Sequence, residues 1–102
     1  MTIAPMLLIV EATVDPAIEA EWNRWYDNVH LPEIRACTDF LSGQRYVSGI
    51  DTSGRHYVAI YELDGLDAIE TAEFQARRGW GPFKGQVQFC TALFNRITPI
   101  IS

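Results

Sequence analysis

Positive charge is scarce in this sequence: 8 Lys and Arg stand against 13 Asp and Glu, a formal net charge of −5. No basic cluster exceeds Arg77-Arg78, so the electrostatic footprint of a nucleic-acid binder is missing. Cysteine is nearly absent too. Cys37 and Cys90 lie far apart in the chain, which argues against a disulfide framework and for a reducing compartment. The two histidines, His30 and His56, are isolated from the cysteines and offer no zinc spacing. No Gly-x-Gly-x-x-Gly, phosphate loop or nucleophile frame around a Ser or Cys occurs. The sequence calls for no metal and no cofactor, and acid/base chemistry is what remains. The apolar run from Ile3 to Val10 contains Pro5 and falls well short of the roughly 20 residues that cross a bilayer. A soluble, cytoplasmic protein with no membrane partner is the expectation.

What is present is a chain of 102 residues, 48% hydrophobic and 12% aromatic, without repeats, low-complexity tracts or linkers. That suits one domain over residues 1–102. At this length folding hides only about 60–68% of the unfolded surface, so a partner subunit would help. Met6 to Val14 is short, β-branched and flanked by proline, which predicts a strand. Asp15-Pro16 then supplies an N-cap carboxylate and a proline at the first helical position. Ile18, Trp22, Trp25 and Val29 form the apolar stripe of the helix that follows. Pro32 predicts an end or kink near His30, with a further turn or short helix over Pro32 to Cys37.

Phe40 to Ser48 and Tyr57 to Leu63 alternate as strands around the turn-rich segment Ser48 to Gly54. A second helix is expected from Asp64-Gly65-Leu66-Asp67 to Arg78, stopped by Gly79. A loop over Gly79 to Gly85 and a fourth strand from Val87 to Ile97 complete the chain. The order is βαββαβ, the α+β ferredoxin-like arrangement of a four-stranded antiparallel sheet with helices on one face. The opposite face also reads as apolar, which predicts a homodimer joined through its sheet faces. Phe40, Phe74, Phe89 and Phe94 are at core spacing.

The informative stretch runs from Trp22 to Glu33. Trp22, Tyr26 and His30 recur every four residues and line one strip of the helix. Asp27 lies three residues before His30, within reach of its Nδ1–H if the helix persists, where a carboxylate would fix the tautomer and leave the other nitrogen as a proton acceptor. The plainer alternative has Asp27 solvated and His30 bonded to a loop carbonyl.

The run Trp25-Tyr26-Asp27-Asn28-Val29-His30-Leu31-Pro32-Glu33-Ile34, followed by a strand carrying Arg45-Tyr46, resembles the EthD-like branch of the dimeric α/β-barrel superfamily. The specific motif covers Trp22 to Ile34, and the likeness in element order covers the whole chain. The resemblance implies a ligand cavity between sheet and helices in each subunit, with His30 facing it. The superfamily includes cofactor-free monooxygenases, cyclases, isomerases, dehydratases and lyases, so fold is implied more firmly than reaction.

Arg45 is a candidate for holding a carboxylate or enolate through its planar fork. Adjacent strand residues face opposite ways, so Arg45 and Tyr46 cannot both enter one cavity without a bulge, and the family pattern favours Tyr46. Tyr57 and Tyr61 share a strand face and could donate hydrogen bonds to a ligand oxygen, or simply pack. Glu11 interrupts an apolar strand and reads as a partner of an arginine such as Arg45, or as a carboxylate of raised pKa. Trp80, between two glycines, sits over the cavity mouth or the dimer seam. The leading expectation is a cofactor-independent acid/base enzyme on a small aromatic or polyketide-like substrate, a lyase, aldol-type cyclase, dehydratase or isomerase. His30 is its base, assisted by Asp27 and Tyr26, with Trp22 and Trp25 walling the pocket. The alternatives are a cofactor-free monooxygenase of a quinol-like aromatic and a non-catalytic ligand-binding or dimerisation domain.

Overall fold

A computed structural model describes residues 4–48 and 55–98. Strand β1 (Met6–Val14) leads into helix α1 (Pro16–Trp25), whose N-cap Asp15 accepts a hydrogen bond from the Ala17 amide at 2.8 Å. Residues Tyr26–His30 wind as a π turn and run without a break into α2 (Leu31–Arg35). Strands β2 (Phe40–Ser48) and β3 (His56–Leu63) follow, and the expected hairpin turn between them lies outside the described residues. A 3-10 turn (Leu66–Ile69), helix α3 (Ala72–Arg77), a 3-10 turn (Gly81–Phe83) and strand β4 (Val87–Asn95) complete the order. The sheet is antiparallel in the order β2-β3-β1-β4, which is the ferredoxin-like arrangement read from the sequence.

Two local features shape the site. The end or kink expected near His30 takes the form of a π turn, and a short helix follows it as expected. Pro32 lacks an N–H and its ring crowds the carbonyl four residues back, and the chain absorbs this by widening one turn, the Leu31 amide reaching the Tyr26 carbonyl. The wider turn rotates Val29 outward, where it is 42% exposed, and leaves Tyr26 and His30 facing the core. The second helix is also not continuous: Thr71 is extended and caps α3 by accepting from the Phe74 amide at 3.1 Å, which divides the segment.

The inner face of the sheet carries Met6, Leu8 and Ala12 of β1 and Tyr57, Ala59, Tyr61 and Leu63 of β3, all buried under the helices. Trp22 and Leu63 are completely enclosed. Phe40 stacks on Phe74 at 5.2 Å and ties α3 to β2. The outer face carries Leu7, Ile9 and Glu11 opposite Glu62, Ile60 and Val58, all half-buried with no helix above them. Of the four phenylalanines expected in the core, Phe40 and Phe74 are there. Phe89 and Phe94 are about half exposed on the edge strand β4, Phe89 on the inner side against Trp80 and Phe94 on the outer face. Strand β4 stops at Asn95, two residues before the expected end.

Candidate functional site

A cavity of about 450 Å³ opens between the inner face of β1 and β4 and the helices. Its floor is Leu8, Val10 and Leu93, its rear wall Tyr26, His30 and Tyr61, and α3 with the loop after it forms the rim. The size falls within the range of roughly 300–1,000 Å³ for small-molecule sites.

His30 is 6% exposed. Its ring stacks on Trp25 at 4.8 Å, meets Tyr26 edge-on at 4.9 Å and lies 6.0 Å from Trp80. No described residue hydrogen-bonds to it. Burial, and secondarily the Arg45 guanidinium, lower its pKa to about 4, so the imidazole is neutral at physiological pH. Beside it the Tyr26 and Tyr61 hydroxyls are joined at 2.9 Å. Burial raises both phenol pKa values, so both stay protonated. One O–H is used between them, which leaves the other available as a donor. Tyr61 lies flat over Gly43, its neighbour on β2: a Cβ at that glycine would sit 2.8 Å from the ring.

The expected Asp27–His30 pair does not form. The π turn carries Asp27 to the solvent side, where its Oδ1 accepts from Arg45 Nη1 at 2.7 Å. Arg45 and Tyr46 take opposite faces, since the β2 bulge falls earlier, between Phe40 and Ser42. Arg45 points inward, against the family pattern, and Tyr46 stands 57% exposed on the outer face. Yet Arg45 does not line the cavity. Its Nη2 donates to Asn23 Oδ1 at 2.8 Å, and its guanidinium lies 4.1 Å from the Tyr26 ring and 5.0 Å from Trp22. It closes a polar seam in which Asn23 Nδ2 donates to the Tyr57 hydroxyl at 2.9 Å and that hydroxyl donates to Glu19.

Tyr57 therefore joins α1 to the sheet instead of facing the cavity, and Trp22 packs behind Tyr26, its indole N–H without a partner among the described residues. Trp25 supports His30 from behind. Glu11 has no arginine: it lies on the outer face, with His56 Nε2 at 3.1 Å and the Cys90 thiol at 3.5 Å, and hydrogen bonds from these two hold its pKa below the usual carboxylate value. Trp80 is 8% exposed and forms cavity wall, on the side away from any seam between outer faces. Of the residues singled out from sequence, His30, Tyr26, Tyr61 and Trp80 are brought together around one space.

Sequence reasoning missed the rim. Gln75, Arg78 and Gly79 line it, and the only trace in the sequence was the helix stop at Arg78-Gly79. Gly79 has φ of +104°, a left-handed turn that suits glycine and swings Trp80 under the helix end. Both cysteines are free, Cys37 buried and Cys90 exposed. Among the described residues no group of His, Cys, Asp and Glu is arranged to hold a metal, and no helix is long and apolar enough to cross a membrane.

A family profile described as a domain of unknown function (DUF4286) matches residues 6–79. No curated protein matches the chain. Among solved structures, a dimeric ferredoxin-like protein from an uncultured marine organism is 11% identical, with 93% of this chain and 97% of that chain covered at a TM-score of 0.65. An EthD family protein from Bacillus halodurans is 15% identical, over 85% of this chain and 96% of that one, at 0.61. A monooxygenase of Streptomyces coelicolor in complex with nanaomycin D is 17% identical, over 97% and 93%, at 0.60. At these identities the likeness is one of fold, and it bears out the ferredoxin-like fold read from the sequence.

Proposed function

The chain belongs to the DUF4286 family, a domain of unknown function, and on that premise we propose from the site that the protein is a cofactor-independent acid/base enzyme. Its substrate is a small aromatic or polyketide-like molecule, and the reaction a cleavage, aldol-type ring closure, dehydration or isomerisation. The observation that carries this reading is the neutral, unpaired His30 imidazole at the wall of an apolar cavity, beside a Tyr26–Tyr61 pair with one O–H to spare.

His30 accepts a proton from a hydroxyl, or from carbon next to a carbonyl. The tyrosine pair donates to the carbonyl oxygen as negative charge gathers there. Trp25 and Trp80 hold the imidazole in place, and the apolar floor orients the ring of the substrate. A pKa of about 4 keeps the base unprotonated but weak in the empty pocket. Negative charge developing on the substrate strengthens it during the reaction.

The test uses 2-tetralone, an aromatic ketone with exchangeable protons, in deuterated water. Proton resonance should show exchange above the buffer rate for the wild type, falling by about 10²–10⁴-fold in His30→Ala and by a smaller factor in Tyr61→Phe. Equal exchange by wild type and His30→Ala, with circular dichroism unchanged, would remove His30 from the base role. Because the base must be neutral, kcat/KM should be flat near neutrality and fall as pH drops through about 4.

A second reading is favoured by the monooxygenase among the structures of like fold. His30 would deprotonate a phenol that itself reduces dioxygen, one oxygen atom entering the ring as a quinone carbonyl and the other leaving as water. Oxygen uptake with a naphthalenediol separates the two.

The same reading includes a homodimer. Leu7, Ile9, Val58, Ile60 and Phe94 form an apolar outer face with no helix over it, a surface that suits a second copy of the sheet. Sedimentation at micromolar concentration should give twice 11.5 kDa, and a single-chain mass would remove this step.

A further inference from the structure

Arg78 occupies a place in the cavity that neither packing nor the polar seam explains. It is the only charged side chain among the described residues lining the space. Its guanidinium makes no hydrogen bond or ion pair with any described residue, unlike Arg45, Arg55 and Arg35, which are bound to Asp27, Glu19 and the Gly43 carbonyl. Its backbone is nonetheless fixed: the Arg78 amide bonds the Phe74 carbonyl at 2.8 Å, and Gly79 turns the chain immediately after it. Phe74 and Gln75 of α3 and Arg78, the extended residue that caps it, line the rim. Gln75 spends its amide N–H on the Ile69 carbonyl at 2.7 Å, which settles the side chain beside the opening.

The chain carries a net charge of −5, yet among the described residues no carboxylate lines this cavity. An unpaired guanidinium over apolar walls is a seat for a planar anion, which it meets with two parallel N–H donors. We infer that Arg78 is a specificity-determining residue that holds a carboxylate at the cavity mouth while the aromatic body of the ligand reaches toward His30 and the tyrosine pair. The substrate class is thereby narrowed to aromatic or polyketide-like acids. This rests on the cavity reading above, and it moves to Arg78 the anion-holding role that the sequence suggested for Arg45.

The test is calorimetric titration with 1-naphthylacetate and 1-naphthylacetamide, which share a ring system and differ in charge. The wild type should prefer the acid by about tenfold, a preference that weakens with added salt. Arg78→Gln should bring the two affinities together by weakening the acid alone, and Arg78→Lys should keep part of the preference. Arg78 is exposed, so these variants are expected to fold, which circular dichroism checks. Equal affinity of the wild type for both compounds overturns the proposal while leaving the cavity reading in place. A preference that survives in Arg78→Gln overturns it as well, since the selectivity would then lie elsewhere. Binding of neither compound overturns both.

Discussion

The two faces of the sheet are built from alternate residues of the same strands, yet they are used differently. On β1, Leu8 and Ala12 go under the helices while Leu7 and Ile9 stay half-open on the other side. On β3, Tyr57 and Tyr61 are buried and Val58 and Ile60 are not. The inner face gathers aromatic rings, leaves a hollow among them and sets one imidazole and two phenols at its edge. The outer face is an apolar surface interrupted by polar groups, Glu11 with His56 and Cys90, Ser42 with Glu62, and Thr13 with Gln88. Period-two alternation thus divides the labour: one set of side chains is covered by the protein's own helices, and the other is left without a helix over it, the face proposed above for a second copy.

The sharpest way to break this comparison is to remove an inner aromatic. Trp22 touches Tyr26, Tyr57 and Trp80 and is fully enclosed. Trp22→Ala should lower the free energy of unfolding by about 3–5 kcal/mol, read from the urea midpoint. A loss below about 1 kcal/mol would mean that the inner face is not the stabilising one.

Adding one carbon on the same face comes next. Gly43→Ala drives a Cβ into the Tyr61 ring, with Arg35 closing the other side at 3.3 Å. Overpacking of this kind costs about 1–3 kcal/mol. It should also separate the Tyr26–Tyr61 hydroxyls and slow 2-tetralone exchange, so unchanged turnover would detach that pair from the chemistry.

His30 gives a smaller, pH-dependent effect. Its pKa is lowered on folding, so between the ordinary value of 6.5 and about 4 the unfolded chain binds the proton that the folded chain refuses. The stabilisation is fully present above 6.5 and drains away as pH falls through that window, by at most about 1.4 kcal/mol per unit. Glu11, Glu19 and Glu73, whose pKa values are lowered, lose their stabilisation only below the usual carboxylate value of 4.5. Thermal unfolding followed from pH 6.5 to 5 therefore isolates the histidine. His30→Asn should flatten the slope there, and an unaltered slope would place the ring in solvent.

Much of this was legible in the sequence because it rests on local signals. Asp15-Pro16 is a local helix-start signal ahead of an amphipathic run, and alternation in β1 and β3 needs no tertiary knowledge. The strip Trp22, Tyr26, His30 survived because a π turn keeps residues four apart near one another. The pairing of Asp27 with His30 did not, since the same turn moves a residue three apart to the far side, and nothing in the letters says that Pro32 will be absorbed by widening instead of breaking. Arg45 and Arg78 show the other limit. Which arginine is consumed by a carboxylate and which is left free depends on contacts across the fold, such as Arg45 with Asp27, that spacing along the chain does not encode.

The smallest expected effect is on the outer face, at Tyr46. It is 57% exposed, and no hydrogen bond or ring contact joins it to another described side chain. At dilution where the chain sediments alone, Tyr46→Ser should change the unfolding free energy by no more than about 0.5 kcal/mol, as surface substitutions usually do. At concentrations where the proposed dimer forms, the same change should weaken the pairing, because a ring is lost from the face proposed to be shared. Wild type and variant would then unfold alike when dilute and part as concentration rises. A loss of 2 kcal/mol or more in the dilute chain would show that the outer face also holds the monomer together, and the division between the two faces would not stand.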